Sequence, residues 1–154
     1  MKIIASISAS VLAIILHASS VFAAGHTADL TIKQAAGSVA ETTDALTTAV
    51  EQAGATLFAV VDHGGGAMDV DLELPDAKLV VFGNPKLGTP IMQSEILAGL
   101  DLPLRVLIYT QDSSTRIAYL KPEAMAARYG IDDTSETIAM IAGALDTLTD
   151  AAAK

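Results

Sequence analysis

No cysteine and no tryptophan occur among the 154 residues, and aromatic residues make up only 4%. The missing thiol excludes disulfides, Cys-ligated zinc, iron–sulfur clusters and a thiol nucleophile. Positive charge is scarce too. Nine Lys+Arg stand against 18 Asp+Glu, for a net charge of −9. Phosphate neutralisation needs clustered Lys and Arg, so no nucleic-acid partner is expected. The length suits one domain and leaves little room for two. What the chain has in quantity is apolar surface. Its hydrophobic content is 51% and its mean hydropathy is +0.47, high for so acidic a protein.

The N-terminus accounts for part of that. Lys2 precedes an apolar stretch from Ile3 to Leu16, then His17, Ser19, Ser20 and Val21-Phe22-Ala23. This order matches a signal peptide cleaved near Ala23. A membrane span needs roughly 20 apolar residues, and this run is shorter, so membrane contact is expected only transiently, through the signal peptide. Losing Lys2 with the leader leaves the remainder more acidic still. Export without cysteine points to a bacterial periplasm. The expected organisation is a signal peptide over 1–23, an N-terminal tail and first strand over 24–37, and an α+β domain over 38–154.

Leu30 and Ile32 alternate with polar residues as in a short strand. Ser38-Val39-Ala40-Glu41 reads as a capping box, and the apolar spacing that follows predicts a helix over 39–53, stopped by Gly54. Thr56 to Val61 is a compact β-branched run that predicts a buried strand. Asp62 and His63 end it, and Gly64-Gly65-Gly66 reads as a flexible turn, with a short helix near 67–71. Lys78 to Phe82 predicts another strand, and Gly83 to Gly88 a loop. Thr89-Pro90 is read as a helix start and Gly99 as its end. Leu104 to Thr110 and Thr115 to Leu120 form a hairpin around Asp112-Ser113-Ser114. Pro122 opens a helix that closes at Gly130. Asp133 with Glu136 reads as a second capping box, opening a helix over 134–151 with Ile138, Ile141, Leu145 and Leu148 on one stripe. The pattern predicts a single α+β domain, a largely antiparallel sheet covered by helices.

Few residues carry chemistry. After the leader only His26 and His63 remain, and His26 falls in the expected tail. His63, beside Asp62 and the glycines at a strand end, is the candidate acid or base. Three-His zinc is impossible with these residues. Asp69, Asp71 and Glu73 resemble half a calcium loop, but Leu74 and Val80 stand where Gly and Glu are required. The glycine triplet lacks dinucleotide spacing, and none of Ser38, Ser94, Ser113, Ser114 or Ser135 has a nucleophile-elbow context. No cofactor and no metal is expected. The segment from Gly83 to Thr89 stands out, because free amides at a helix start attract anions and Lys86 adds a cation. Asn84, Lys86, Thr89 and Gln93, with His63, are the candidate ligand-binding residues. Arg105, Tyr109, Tyr119 and Arg128 are secondary candidates.

Four stretches carry a family resemblance: Phe58 to Gly64 with Asp62-His63; Val81 to Gln93, reading V-F-G-N-P-K-L-G-T-P-I-M-Q; Gly99 to Leu104; and Tyr119 through Pro122 to Gly130. Together they resemble the domain-of-unknown-function family numbered 302, over roughly residues 38–131. The chain departs where the family often has Asn before the proline matched by Pro122, and His where Tyr129 stands. The resemblance implies a compact α+β domain similar to a single copy of the TATA-box-binding-protein fold, often dimeric, and no DNA binding. It marks Asp62, His63, Gly83, Asn84, Pro85, Lys86, Gly88, Thr89, Pro90 and Gln93 as motif positions. The family's activity is unassigned.

Three functions fit these residues. The first is a periplasmic binding or sensing module for a small anionic ligand held between the Gly83–Thr89 loop and His63. The second is a homodimeric assembly module using the last helix's apolar stripe or an open sheet face. The third is an enzyme with His63 as acid or base, oriented by Asp62.

Overall fold

A computed structural model describes residues 27–154. The expected signal peptide, its cleavage point at Ala23 and His26 lie outside these residues. Five strands form one sheet: β1 (Leu30–Ala35), β2 (Thr56–Asp62), β3 (Ala77–Gly83), β4 (Leu104–Gln111) and β5 (Ser114–Leu120), in the order β1-β5-β4-β3-β2. Every neighbouring pair is antiparallel. The helices are α1 (Val39–Gln52), α2 (His63–Met68), α3 (Pro85–Ser94), α4 (Pro122–Tyr129) and α5 (Glu136–Ala152), with a 3₁₀ turn at Ile96–Leu100. The fold is therefore a single α+β domain on an antiparallel sheet.

Helix α1 forms where its spacing predicts. The Ser38 hydroxyl accepts from the Glu41 amide at 3.2 Å, and the Glu41 carboxylate accepts from the Ser38 amide at 2.8 Å. Two of the helix's orphan donors are thus satisfied at its start. Its apolar stripe, Val39, Leu46 and Val50, meets the buried stripe of α5, Ile138, Ile141, Leu145 and Leu148. The sheet supplies the other half of the core through Val80, Phe82, Val106, Ile108, Ile117 and Tyr119. The α5 stripe is interior and so is not available for assembly.

Three local expectations need correction. The glycine triplet is not a flexible turn. It lies inside α2, because the Asp62 carboxylate caps the helix by accepting from the Gly65 amide at 2.7 Å. A Cβ at Gly64 would meet the backbone of Asp76 and Ala77 at 3.4–3.5 Å, an ordinary contact distance, so α2 packs closely on that segment. The second capping box does not form. Ser135 caps α5, while Asp132 turns back onto the amide and hydroxyl of Thr134. Third, β2 is an edge strand and largely exposed. Its apolar run suggested burial, but β2 has a neighbour on one side only.

Candidate functional site

Helix α3 starts five residues earlier than Thr89-Pro90 suggested. Asn84 is extended, and its side-chain oxygen accepts from the Lys86 amide at 3.0 Å. Pro85 takes the first helical position, where a missing N–H costs nothing. Pro90, read as that first residue, lies inside the helix. The shift alters the chemistry expected here. Pro85 has no amide hydrogen, Lys86 donates to Asn84 Oδ1, and the amides of Leu87 and Gly88 donate to the Asn84 carbonyl at 2.9 and 3.0 Å. No amide is left free at this helix start to dock an anion. Lys86 and Gln93 are exposed.

Asn84 and Thr89 instead border an apolar cleft of about 300 Å³, which Lys86 and Gln93 do not line. Gly83, Asn84, Pro85, Leu87, Gly88, Thr89 and Met92 form one side. Leu102, Pro103 and Leu104 form another, and Phe58 and Ile141 close it. The Leu102–Pro103 peptide is cis. Phe58 sits at the bulge between Leu57 and Ala59, where the extra residue re-aims the strand. Gly83 packs beside both walls: a Cβ there would be in ordinary contact with Pro103 at 3.4 Å and the Phe58 ring at 3.7 Å.

The register separates His63 from this cleft. In the β2–β3 pair Thr56 faces Gly83, whereas Asp62 faces Lys78. These two ends lie six residues apart along β2, about 20 Å at a strand's rise per residue. His63 opens α2, is exposed, and does not line the cleft. One ligand cannot meet His63 and the Asn84–Thr89 segment together. Asp62 is committed elsewhere as well, to the Gly65 amide and to Lys78 Nζ at 3.2 Å. The Gly65 amide first, and then the Lys78 ammonium, hold its carboxyl below the usual carboxylate range.

Two of the secondary candidates converge on a residue that sequence reasoning missed. The Asp101 side chain is only 8% exposed. It accepts from Arg105 at one oxygen, and at the other from Arg128 at 2.8 Å and the Tyr129 hydroxyl at 2.9 Å. This hub ties β4 and α4 to the segment that leads into Leu102 and Pro103, a wall of the cleft. Tyr119 belongs to a different cluster. It donates to Asp146 at 2.7 Å, and Lys33 pairs with Asp146 and Asp150 at 3.1 and 2.6 Å. The Tyr119 hydroxyl and then Lys33 keep Asp146 below the usual range. Tyr109 reaches only Gln111, at 3.4 Å. Among the described residues no group of three or more His, Asp or Glu is placed to hold a metal.

Known proteins resemble this chain in three ways. The model of the family described as "Domain of unknown function DUF302" matches residues 30–148. Proteins named "Fluoride-specific ion channel FluC 1", from Brucella suis and Brucella abortus, are 37% identical to it over 110 residues. That match takes in 69% of this chain but 43% and 40% of those proteins, so the chain spans about two-fifths of the curated relatives it matches. A crystal structure of an uncharacterized conserved DUF302 protein from Bacillus stearothermophilus superposes with a TM-score of 0.74 at 17% identity. It covers 81% of this chain and 98% of that one, and it shows the fold alone.

Proposed function

The chain belongs to the DUF302 family of domains of unknown function, and on that premise we propose that it is an exported, periplasmic module that binds a small molecule in the cleft beside Asn84. The cleft is the observation that supports this. Its volume of about 300 Å³ sits at the lower end of the range for small-molecule sites. Phe58, Leu87, Met92, Leu102 and Leu104 line it, so the ligand has an apolar body. The polar groups at the rim favour an acceptor on that body. Asn84 uses its oxygen as a cap and keeps its NH₂ as a donor, and Thr89 brings a hydroxyl. The anionic preference rests on the Lys86 ammonium alone, since the helix amides are engaged. The leader pattern of residues 1–23 supports export.

Octanol and octanoate are suitable probes, titrated into the purified protein by calorimetry and thermal shift. Both bind if the apolar wall dominates, and octanoate binds more tightly if Lys86 contributes. The Gly88→Leu variant fills the cleft, because a Cβ at Gly88 meets only Leu102, at 3.8 Å. Binding that survives Gly88→Leu would overturn the site.

The Brucella relatives favour a second reading. Their printed name is that of an ion channel, and a channel must cross a membrane. No described helix of this chain is long and apolar enough to do so. The domain would then serve a fluoride channel from outside the bilayer. Deleting the encoding gene should lower the fluoride concentration that arrests growth. Unchanged fluoride tolerance would count against this role.

A further inference from the structure

Strand β2 is open along its edge and on both faces. It pairs with β3 alone, at the end of the sheet. The N–H and C=O groups of a strand point alternately to either side, so every second residue of β2 turns its pair outward. Among the described residues, no backbone hydrogen bond from a loop or helix reaches Thr56–Asp62. Those outward groups face solvent. The side chains are open too. Val60 pairs with the buried Val80 and lies on the helix side, while Val61 lies on the other. Both are 42% exposed.

The opposite edge of the sheet is guarded. Lys33 stands within β1 and binds Asp146 and Asp150 of α5. Just past β1, the Ala36 amide donates to the Ala153 carbonyl at 3.0 Å. Charged residues, proline, bulges and covering elements are the usual ways of blunting an exposed edge. β2 has a bulge at Phe58 and none of these from Ala59 to Val61. Asp62, which follows, is held by the Gly65 amide and Lys78. The bulge also carries the Phe58 ring, 55% exposed, onto the cleft. Thr56 faces Gly83, on the cleft's wall. The cleft and the free edge therefore meet at Phe58.

We propose that the cleft holds an apolar side chain of an extended peptide, whose backbone adds to the outer edge of β2 as a further strand. This rests on the cleft being a ligand site, and it names the ligand's class. The edge selects a peptide, because an extended chain offers donors and acceptors in turn at the repeat of about 6.7 Å that alternate strand residues set. Backbone bonds of this kind supply affinity, and a pocket for one side chain supplies selectivity. Side chains of the added strand flank Val60 on one face and Val61 on the other, so apolar residues fit on both. Thr56 to Val61 carry no charge, so the peptide is uncharged along this stretch. A second copy of this chain is the poorer occupant. Each copy has a net charge of −9, and like charges oppose association.

The probe is the blocked peptide acetyl-Leu-Thr-Val-Thr-Val-Thr-Leu-amide, which brings a leucine to the cleft whichever way the strand runs. It is titrated beside octanol by calorimetry into the native protein and Gly88→Leu, with circular dichroism to confirm folding. The native protein should bind the peptide. N-methylation of every internal amide should weaken binding about tenfold or more, by removing the strand's donors. Gly88→Leu should weaken peptide and octanol alike. Hydrogen exchange read by NMR should find the outward amides between Ala59 and Asp62 slowed about tenfold by the peptide and unmoved by octanol. Octanol binding without peptide binding would overturn the peptide as ligand and leave the cleft as a site. Failure of both would overturn both. Peptide binding indifferent to N-methylation or to Gly88→Leu, or protection at β1 instead of β2, would also overturn the proposal. So would β2 protection that rises with protein concentration in the absence of peptide, which gives the edge to a second copy.

Discussion

Replacing Asp101 with alanine should unfold the protein far more readily than loss of any other single carboxylate. The Tyr129 hydroxyl donates to a carboxylate that is 8% exposed, and a hydrogen bond to a charged group contributes roughly 1.5–3 kcal/mol. Arg105 and Arg128 are about half exposed, so water screens them and each pair adds at most about 1 kcal/mol. The guanidiniums can rehydrate after the substitution, whereas the phenol is left facing a gap. The expected loss is therefore about 3 kcal/mol in Asp101→Ala, dominated by the Tyr129 contact. For a domain of this size it corresponds to a Tm lower by roughly 10–15 °C. Asp101→Asn keeps an acceptor for Tyr129 and should lose about half as much. Urea denaturation of Asp101→Ala, Tyr129→Phe and the double variant gives the coupling directly, expected at about 1 kcal/mol or more. A loss below about 1 kcal/mol with no coupling to Tyr129 would refute the reasoning. Because Asp101 leads into Leu102 and Pro103, the same variant should also weaken octanol binding in the cleft.

Other expectations follow from the same geometry. Gly88→Ala should raise stability by about 0.5–1 kcal/mol in thermal melts, because glycine within a helix carries excess chain entropy. Ser38→Ala removes the α1 cap and should cost about 1 kcal/mol by urea denaturation. His63→Ala should change stability by less than about 0.5 kcal/mol and leave octanol affinity unchanged by calorimetry. Glu41, Asp62, Asp132 and Asp146 are all held below their usual range, by the Ser38 amide, the Gly65 amide, the Thr134 hydroxyl and the Tyr119 hydroxyl respectively. A depressed folded pKa contributes stability above the unfolded value, near 4, and loses it as pH falls through the folded value. The urea midpoint should therefore be flat from about pH 7 to 5 and fall steadily below about pH 4.

Much of this fold was legible in the sequence because its signals are local. Ser38 and Glu41 are three residues apart, and the capping box needs nothing else. The Asp112–Ser113 turn is also local. Both residues adopt positive φ, at 50° and 59°, as a two-residue hairpin loop requires. The start of α3 was misplaced for a local reason. Asn84-Pro85 and Thr89-Pro90 both read as a cap followed by a first helical residue, and only the Asn84 side chain closes on an amide two residues ahead. The site was harder to read. The segment around Asn84 was legible as a place of interest, but its chemistry was not. Whether a helix start has free amides depends on which residue caps it. The distance between His63 and Asn84 depends on strand register. A hairpin sets its two ends apart by strand length, and nothing in the spelling of Asp62-His63 indicates that. Asp101 was missed because its partners Arg128 and Tyr129 lie 27 and 28 residues away in the chain.

Helix α2 has one more consequence. Its sequence, His-Gly-Gly-Gly-Ala-Met, has almost no intrinsic preference for the helical state. The helix persists because Asp62 holds one end and the backbone of Asp76 shelters Gly64. Such a segment sits near the bottom of the protein's ladder of local opening energies. Its amides should exchange with solvent long before those of α1 or α5, without global unfolding. Hydrogen exchange read by mass spectrometry should therefore find α2 fully exchanged while α1 and α5 are still protected.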